Sequence, residues 1–249
     1  ATASYTLGSN VENLRQTGAG AINATGNAAN NILYAGAGNN TLDGAGGSDT
    51  VSYAYATAAV TANLATGQAT GGSGTDTLLN VEHLIGSGYA DTLTGNTQAN
   101  SLSGGTGADI FVLNSVLASD TISDFASGSD KVRISQAGIA IGNGNTTVDN
   151  ATTIAGPGGF ATTAELVIVT GNIAGAISTA TAAAAIGSAT SAYGIGAKAL
   201  FVVDNGSSSA AYLFTAGDAN AAVSAAELTL LATLHNTAAT VGADWLFGG

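Results

Sequence analysis

The residues of this sequence best suited to chemistry are aspartates and asparagines that recur at one position of a nine-residue unit. Each unit begins with small residues, mostly glycine, has Asp or Asn sixth, and has an aliphatic or aromatic residue eighth. Carboxylate, amide and backbone carbonyl oxygens are the ligands that Ca²⁺ prefers, and glycine lets a tight turn present its carbonyls. The pattern therefore predicts calcium-binding turns. The alternative is a glycine-rich solenoid that uses Asp and Asn only as turn formers.

The units form two phased blocks of three, 26–52 and 86–112, with one further unit at 71–79. We expect two successive units to make one coil, so that turns two units apart stack on the same side. A cation between stacked turns would take carbonyl oxygens from both turns and the sixth-position carboxylates. The eighth residues should then point inward: Leu33, Leu42, Val51, Leu78, Leu93, Leu102 and Phe111.

On this basis the turn at 26–31 should lie over 44–49, and the turn at 86–91 over 104–109. Sites with a sixth-position Asn should be weaker, because a neutral amide offers one oxygen and no charge. The predicted metal-site residues are Asn31, Asn40, Gly44, Gly46, Asp49, Gly71, Gly74, Asp76, Gly86, Gly88, Asp91, Asn100, Gly104, Gly107, Asp109, Asp120 and Asp124.

A longer period suggests duplication of the N-terminal half. The segment 10–14, NVENL, recurs at 80–84 as NVEHL, and each copy leads into a block of repeats. Between the copies, residues 60–70 alternate in polarity around Thr66-Gly67, which predicts a hairpin.

The units GGSGTDTLL and GGTGADIFV match the glycine-rich nonapeptide of RTX proteins. The segment SYTLGSNVENL resembles a spacer of large RTX proteins, and residues 120–132 resemble the end of the roll in serralysin-type secretion domains. The resemblance covers residues 4–134. It implies a parallel β-roll that folds on Ca²⁺ and a protein that leaves the cell through a type I exporter, to be secreted or held at the bacterial cell surface.

The C-terminal part has a different pattern. We expect a strand at 165–170, an alanine-rich helix at 174–189, and a hairpin around Asp204-Asn205-Gly206. The capping-box sequence 224–227 before spaced leucines predicts a helix to about His235, and 245–247 predicts a strand. Asp218, Asn220 and Glu227 are poorly spaced for an EF-hand, which favours capping.

The predicted fold is thus mainly β, a parallel β-roll (an RTX β-solenoid) followed by a smaller α+β C-terminal domain. The predicted divisions are a roll at 1–137 built of modules 1–69 and 70–137, a connecting segment at 138–164, and a C-terminal cap or secretion-signal region at 165–249.

Composition excludes several functions. Four basic residues against 16 acids give a charge of -12, so no nucleic-acid surface can form. There is no cysteine, and no apolar run is long enough to cross a membrane. No catalytic motif surrounds His83 or His235, so we expect no enzyme. Two functions stay open. One is a self-assembling surface subunit (S-layer, adhesin-like or filament) whose expected partners are copies of itself in a lattice or filament and an envelope glycan. The other is the secretion module of a larger hydrolase (protease or lipase).

Overall fold

The computed structural model describes residues 2–237 and 239–248, and the fold is mainly β with parallel sheets. The chain divides into two compact units, Ala1–Val112 and Leu113–Gly249. The division falls before the segment 120–137, which the sequence pattern had grouped with the roll. Its strands pair with strands of residues 228–248, as described below, and the predicted domain divisions stay predictions.

The first unit is built of short strands separated by turns. In chain order they are β1 (Tyr5–Thr6), β2 (Asn13–Arg15), β3 (Ala24–Thr25), β4 (Ile32–Tyr34), β5 (Thr41–Asp43), β6 (Thr50–Ser52), β7 (Val60–Asn63), β8 (Gln68–Gly71), β9 (Gly74–Leu79), β10 (His83–Ile85), β11 (Thr92–Thr94), β12 (Ser101–Ser103) and β13 (Ile110–Leu113).

Successive strands of a repeat block alternate between two sheets, which makes a roll. Within this unit one sheet has the order β1-β3-β5-β9-β8-β7-β11-β13 and the other β12-β10-β6-β4-β2. Within the repeat blocks, parallel partners are 18 residues apart: Leu33 pairs with Val51, and Leu93 with Phe111. The predicted coil of two units is therefore confirmed, and so are the predicted turn stacks.

The eighth residues of the units form the core between the sheets. All seven predicted inward side chains are buried, and the least buried, Leu78, is only 4% exposed. In the repeat strands β4, β5 and β12 the eighth residue is the central one, and it points inward while its two neighbours point to the opposite face. Because each of these strands contributes one inward side chain to the core, the nine-residue period must be kept from one coil to the next.

The unit at 71–79 folds differently from its sequence-based prediction. Strand β8 pairs antiparallel with both β7 and β9, so Gly67 and Gly72-Ser73 lie in the turns of two consecutive hairpins. The predicted hairpin at 60–70 is confirmed. The glycine loop expected at 71–76 is wrong, because Gly71 and Gly74 are cross-strand partners with φ of 125° and 96°. Strand β9 nevertheless pairs in parallel with β5, with Thr41 opposite Thr77.

The second unit contains β14 (Asp120–Ile122), β15 (Lys131–Ser135), β16 (Thr152–Ile154), β17 (Leu166–Val169), the helix α1 (Thr179–Ile186), β18 (Lys198–Asp204), β19 (Ser208–Thr215), β20 (Leu228–His235) and β21 (Trp245–Gly248). Its larger sheet has the order β16-β17-β18-β19-β20-β14. A second pair, β15 and β21, is parallel. The segment expected to be a plain connection, 138–164, contains β16.

Sequence patterns predicted most elements of this unit. The strand β17, the hairpin β18–β19 and the strand β21 are confirmed, and α1 is present but shorter than predicted. It begins after Ser178, whose hydroxyl accepts a hydrogen bond from the Thr181 backbone N–H, and ends at Gly187 with φ of 75°.

The helix predicted up to His235 is wrong, because residues 228–235 form β20, which pairs with β19 and β14. The capping interaction exists, but Glu227 and Ser224 cap a single 3₁₀ turn at Ala225–Glu227. A register shift opposite Ala211 and Tyr212 leaves Leu231 as an extra residue in β20. A bulge of this kind interrupts the alternation of inward and outward side chains along a strand. The leucines of β20 are therefore spaced as they would be on a helix.

Buried Asp244, just before strand β21, connects that strand to residues 127–131 of the same unit. Its carboxylate accepts hydrogen bonds from Ser127 Oγ (2.6 Å), the Gly128 N–H (2.9 Å) and the Val241 N–H (2.9 Å), and it lies 3.5 Å from Lys131 Nζ. Burial alone would raise the pKa of Asp244, but these donors and the Lys131 charge lower it. No helix in the described part of the chain is long and apolar enough to cross a membrane.

Candidate metal centre

The sixth-position side chains of the first unit form a regular ladder between coils. In each step, one oxygen of the carboxylate accepts a hydrogen bond from a backbone N–H of the preceding coil. The steps are Asn31 N to Asp49 Oδ1 (2.7 Å), Asn40 N to Asp76 Oδ1 (2.9 Å), Val60 N to Asp91 Oδ1 (2.7 Å) and Asp91 N to Asp109 Oδ1 (2.8 Å). In each step Oδ1 of the aspartate accepts the hydrogen bond, and Oδ2 of the same aspartate points back toward the turn that contains it.

The first glycine of a turn makes room for oxygens from two successive coils. A Cβ built on Gly44 would lie 2.5 Å from Asp49 Oδ2 and closer still to the Asn80 carbonyl oxygen. At Gly86 the same test meets Asp91 Oδ2 and the Gly104 carbonyl oxygen. A carboxylate and a carbonyl of the next coil therefore converge at these turns, and both are hard oxygen ligands suited to Ca²⁺.

The environment of Asp49 is one that a cation would satisfy. The side chain is 1% exposed, and Oδ2 has no hydrogen-bond partner among the described residues. Burial raises the pKa of Asp49; the Asn31 N–H opposes this rise and the Glu82 charge adds to it. A buried carboxylate is normally paired or bound to a metal, so the residues present fit Ca²⁺.

Sequence reasoning missed Glu82, which continues the ladder where the repeats stop. Its Oε2 accepts a hydrogen bond from the Asp49 N–H at 2.8 Å, the role that a sixth-position aspartate has in the other coils. The Asn80 carbonyl beside Gly44 belongs to the same spacer. The recurrence of Asn-Val-Glu at 10–12 and 80–82 was the available signal, because it placed one carboxylate before each block.

In two of the turns with a sixth-position asparagine, the side-chain amide oxygen accepts a hydrogen bond from a backbone N–H of the same turn. Asn31 Oδ1 accepts from the Asn27 N–H at 2.7 Å, and Asn100 Oδ1 accepts from the Asn96 N–H at 2.7 Å. Asn40 is different, since its Oδ1 is buried without a partner in the described part of the chain. That asparagine turns bind calcium more weakly stays a prediction.

The Asp91 carboxylate accepts three hydrogen bonds from described residues. Besides the ladder contact, Ser87 donates its backbone N–H to Oδ2 and its hydroxyl to Oδ1, the latter at 2.8 Å. Asp109, in the next coil, is also buried.

The remaining predicted metal-site residues differ in whether the structure requires glycine there and in which unit they lie. A Cβ on Gly46 or Gly88 would meet no atom closer than 3.8 and 3.5 Å, so steric closeness does not require glycine there. Gly107 has φ of 144°, which favours glycine. In the second unit, buried Asp120 begins β14 and Asp124 follows two residues after its end.

No three His, Cys, Asp or Glu side chains cluster as a metal site among the described residues. The arrangement explains this, since each turn contributes a single carboxylate and the other converging oxygens are backbone carbonyls.

Comparison with known proteins agrees with the geometry. Residues 23–52 match the model of the RTX calcium-binding nonapeptide repeat, and residues 42–162 match the model of the peptidase M10 serralysin C terminal region. No curated protein matches the chain significantly. The two matches indicate a secreted protein of the type I export route. The chain therefore carries the calcium-binding nonapeptide repeats of RTX proteins and a region similar to the C terminus of serralysins.

Proposed function

We propose that this chain is a non-catalytic, calcium-stabilised structural protein of the cell surface that assembles with copies of itself. The observation that carries the calcium part is buried Asp49, whose Oδ2 lacks a hydrogen-bond partner in the described part of the chain and stands beside the Asn80 carbonyl. A cation that binds the folded state alone stabilises it by mass action, so calcium outside the cell would favour the roll.

The ligands that we propose are the sixth-position side chains and the leading glycine carbonyls of the repeat turns. Asp49, Asp91 and Asp109 supply the charge, and Glu82 closes the column above Asp49. The asparagine turns contribute weaker sites. Asp120 and Asp124 remain candidates in the second unit.

Assembly is supported by the strands at the sheet edges. In the described chain β1 and β2 end the two sheets of the first unit, and a sheet edge presents N–H and C=O groups that can pair with another chain. Tyr5 on β1 is 54% exposed, and Val11 just before β2 is 42% exposed. The net charge of -12 opposes the association of copies, and bound Ca²⁺ would offset part of that charge.

A non-catalytic role is supported by how the two histidines are used. His83 Nδ1 accepts a hydrogen bond from the Ser101 N–H (3.0 Å), which leaves Nε2 to donate to Ser48 Oγ (2.7 Å). This histidine therefore links three coils of the roll. His235 is an exposed residue at the end of β20.

The second candidate function is the secretion and folding module of a larger hydrolase. The match to the serralysin C-terminal model favours it, because that region is the non-catalytic part of serralysins. Light scattering and electron microscopy of the purified chain with calcium would separate the two. Ordered lattices or filaments that dissolve on chelation support the surface subunit, whereas a monomer at every calcium concentration supports the module.

A further inference from the structure

The turn after the first copy of the spacer differs from the predicted calcium turns. When the duplicated segments 10–20 and 80–90 are aligned, Gln16 stands where the second copy has Gly86, the leading glycine of its turn. Gln16 is 3% exposed, and its Oε1 accepts a hydrogen bond from the Gly36 N–H at 3.2 Å. A Cβ built on Gly36 would lie only 2.9 Å from Gln16 Cβ, so the two residues are in close contact. A polar side chain therefore occupies this turn in place of bare glycine backbone.

This turn lines a cleft of about 200 Å³ in the first unit, which we call the Arg15 cleft. Residues 15–19 and 35–37 form one part of its wall. Tyr55 and Thr57, from the segment after β6, and the β8–β9 turn at 72–73 form the rest. The cleft thus combines the turn that departs from the repeat with the insertion that separates the two repeat blocks.

Arg15 is the one Lys or Arg in the sequence of residues 1–112, and it lies in the wall of this cleft. Its Cζ is 3.6 Å from the centre of the Tyr55 ring, and Tyr55 is 53% exposed. The centre of the Tyr34 ring lies 5.6 Å from that of Tyr55. Stacking on an aromatic face restrains the guanidinium but uses none of its five N–H donors. A guanidinium held in this way is suited to bind a carboxylate through two parallel hydrogen bonds.

Hydroxyl groups add to the lining of the Arg15 cleft. They belong to Thr17, Thr57 and Ser73. Thr57 Oγ1 donates to the Gly72 carbonyl at 3.3 Å, so its oxygen can still accept a hydrogen bond. Groups that donate and accept match the hydroxyls of a sugar, and an aromatic face packs against the C–H groups of a sugar ring. The volume is below the roughly 300–1,000 Å³ of sites for drug-sized ligands, so it suits a single sugar residue.

We propose that the Arg15 cleft binds a carboxylate-bearing saccharide, with Arg15 holding the carboxylate and Tyr55 packing against the sugar ring. The inference rests on the proposed role at the cell surface and deepens it, because it names the chemistry of a glycan that the protein would hold. A nucleic acid does not fit, since one basic side chain cannot neutralise a run of phosphates. The site also accounts for the place where the two copies of the duplicated segment differ.

The test is isothermal titration calorimetry of the calcium-bound chain with a galacturonate disaccharide, the neutral galactose disaccharide and an acidic peptide, tri-aspartate. Arg15→Gln removes the charge, and Tyr55→Ala removes the ring. The matched controls are Arg133→Gln, which makes the same charge change in the second unit, and Tyr89→Ala, which removes another exposed tyrosine. Circular dichroism with calcium confirms that each variant is folded before binding is measured.

We expect the wild type to bind the galacturonate disaccharide at least tenfold more tightly than the neutral disaccharide or the peptide. Arg15→Gln should abolish that preference, Tyr55→Ala should weaken both sugars at least tenfold, and the two controls should match the wild type. If Arg15→Gln binds galacturonate as the wild type does, the carboxylate is held elsewhere, for instance by bound calcium, and the inference is overturned. Equal or tighter binding of the peptide, or no binding of either sugar, overturns it as well.

The outcome is separable from that of the proposed function. Calcium-dependent lattices or filaments formed by a chain that binds neither sugar would leave the surface role in place and remove only the saccharide site. A chain that binds galacturonate through Arg15 but stays monomeric at every calcium concentration would support the site and contradict self-assembly.

Discussion

Replacement of Asp49 by Asn should have opposite effects with and without calcium. Asparagine keeps an oxygen that can accept from the Asn31 N–H, which Asp49 now does at 2.7 Å. It removes the charge on a buried carboxylate whose Oδ2 has no partner in the described structure and whose pKa is raised by burial and then by Glu82. Without calcium, Asp49→Asn should therefore leave stability unchanged or increase it by about 1 kcal/mol.

With calcium the same change should be destabilising. A site saturated at 100 times its dissociation constant adds about 2.7 kcal/mol to the free energy of unfolding, and each further tenfold rise in calcium adds about 1.4 kcal/mol. A variant that lacks one site loses both contributions. Urea unfolding followed by circular dichroism, repeated over a calcium series, measures the slope of stability against calcium concentration.

The matched control is Asp43→Asn, which makes the same charge change on β5. Asp43 Oδ1 accepts from the Ala45 N–H and from Asn80 Nδ2, contacts that an asparagine oxygen can retain. Asp43→Asn should keep the wild-type slope, whereas Asp49→Asn should lose about 1.4 kcal/mol per tenfold change in calcium. The reasoning is refuted if both variants keep the wild-type slope, or if Asp49→Asn destabilises the calcium-free protein as much as the calcium-bound one.

Four further predictions follow from the same geometry. Gly86→Ala should cost 2 kcal/mol or more, on the order expected for steric overlap, and weaken calcium binding, whereas Gly88→Ala, with its nearest atom at 3.5 Å, should do neither by calorimetry. Leu33→Ala should lower the free energy of unfolding by about 2–5 kcal/mol in urea titrations, since Leu33 is fully buried; a loss below 1 kcal/mol would argue against the roll core. Burial raises the pKa of Asp76 to about 6, so the stability that its protonated form gives the calcium-free protein is present below pH 3.8 and lost as the pH rises through 6. Urea unfolding of chelated protein from pH 4 to 7 should show this fall, and a rise over that range would contradict the assignment. Asp244→Asn should cost roughly 1–3 kcal/mol by thermal unfolding at neutral pH; the lowered pKa of Asp244 means that this contribution is present above the usual carboxyl range and disappears as acid protonates the group.

The sequence predicted the roll well because its information is periodic. A nine-residue unit with one apolar residue at a fixed place determines which side chains are inward, so Leu33, Leu93 and Phe111 could be assigned without a structure. The 18-residue step between stacked turns follows from two units per coil. Local rules sufficed because each coil contacts mainly its neighbours.

The failures occurred where pairing between strands overrides local pattern. The sequence 71–76 reads as a glycine loop, but the preceding insertion forms β8, and an antiparallel partner turns Gly71 and Gly74 into a hairpin. In β20 a bulge at Leu231 produced a helical spacing of leucines. Neither effect is visible in a window of ten residues, since both depend on a second strand.

The candidate site was predicted in part. The sixth-position aspartates and leading glycines were readable, because the repeat places each once per unit. Glu82 was not, since it comes from a spacer outside the repeats and meets the turn column only through the coil geometry.

The most direct test of calcium-dependent folding is a calcium titration of chelator-treated protein followed by far-ultraviolet circular dichroism, with magnesium as control. The account predicts that calcium increases the β signal above that of the calcium-free protein, together with bound ions that Asp49→Asn reduces by one, and that magnesium has little effect. A spectrum that is the same at every calcium concentration, with no calcium retained by the protein, would contradict it.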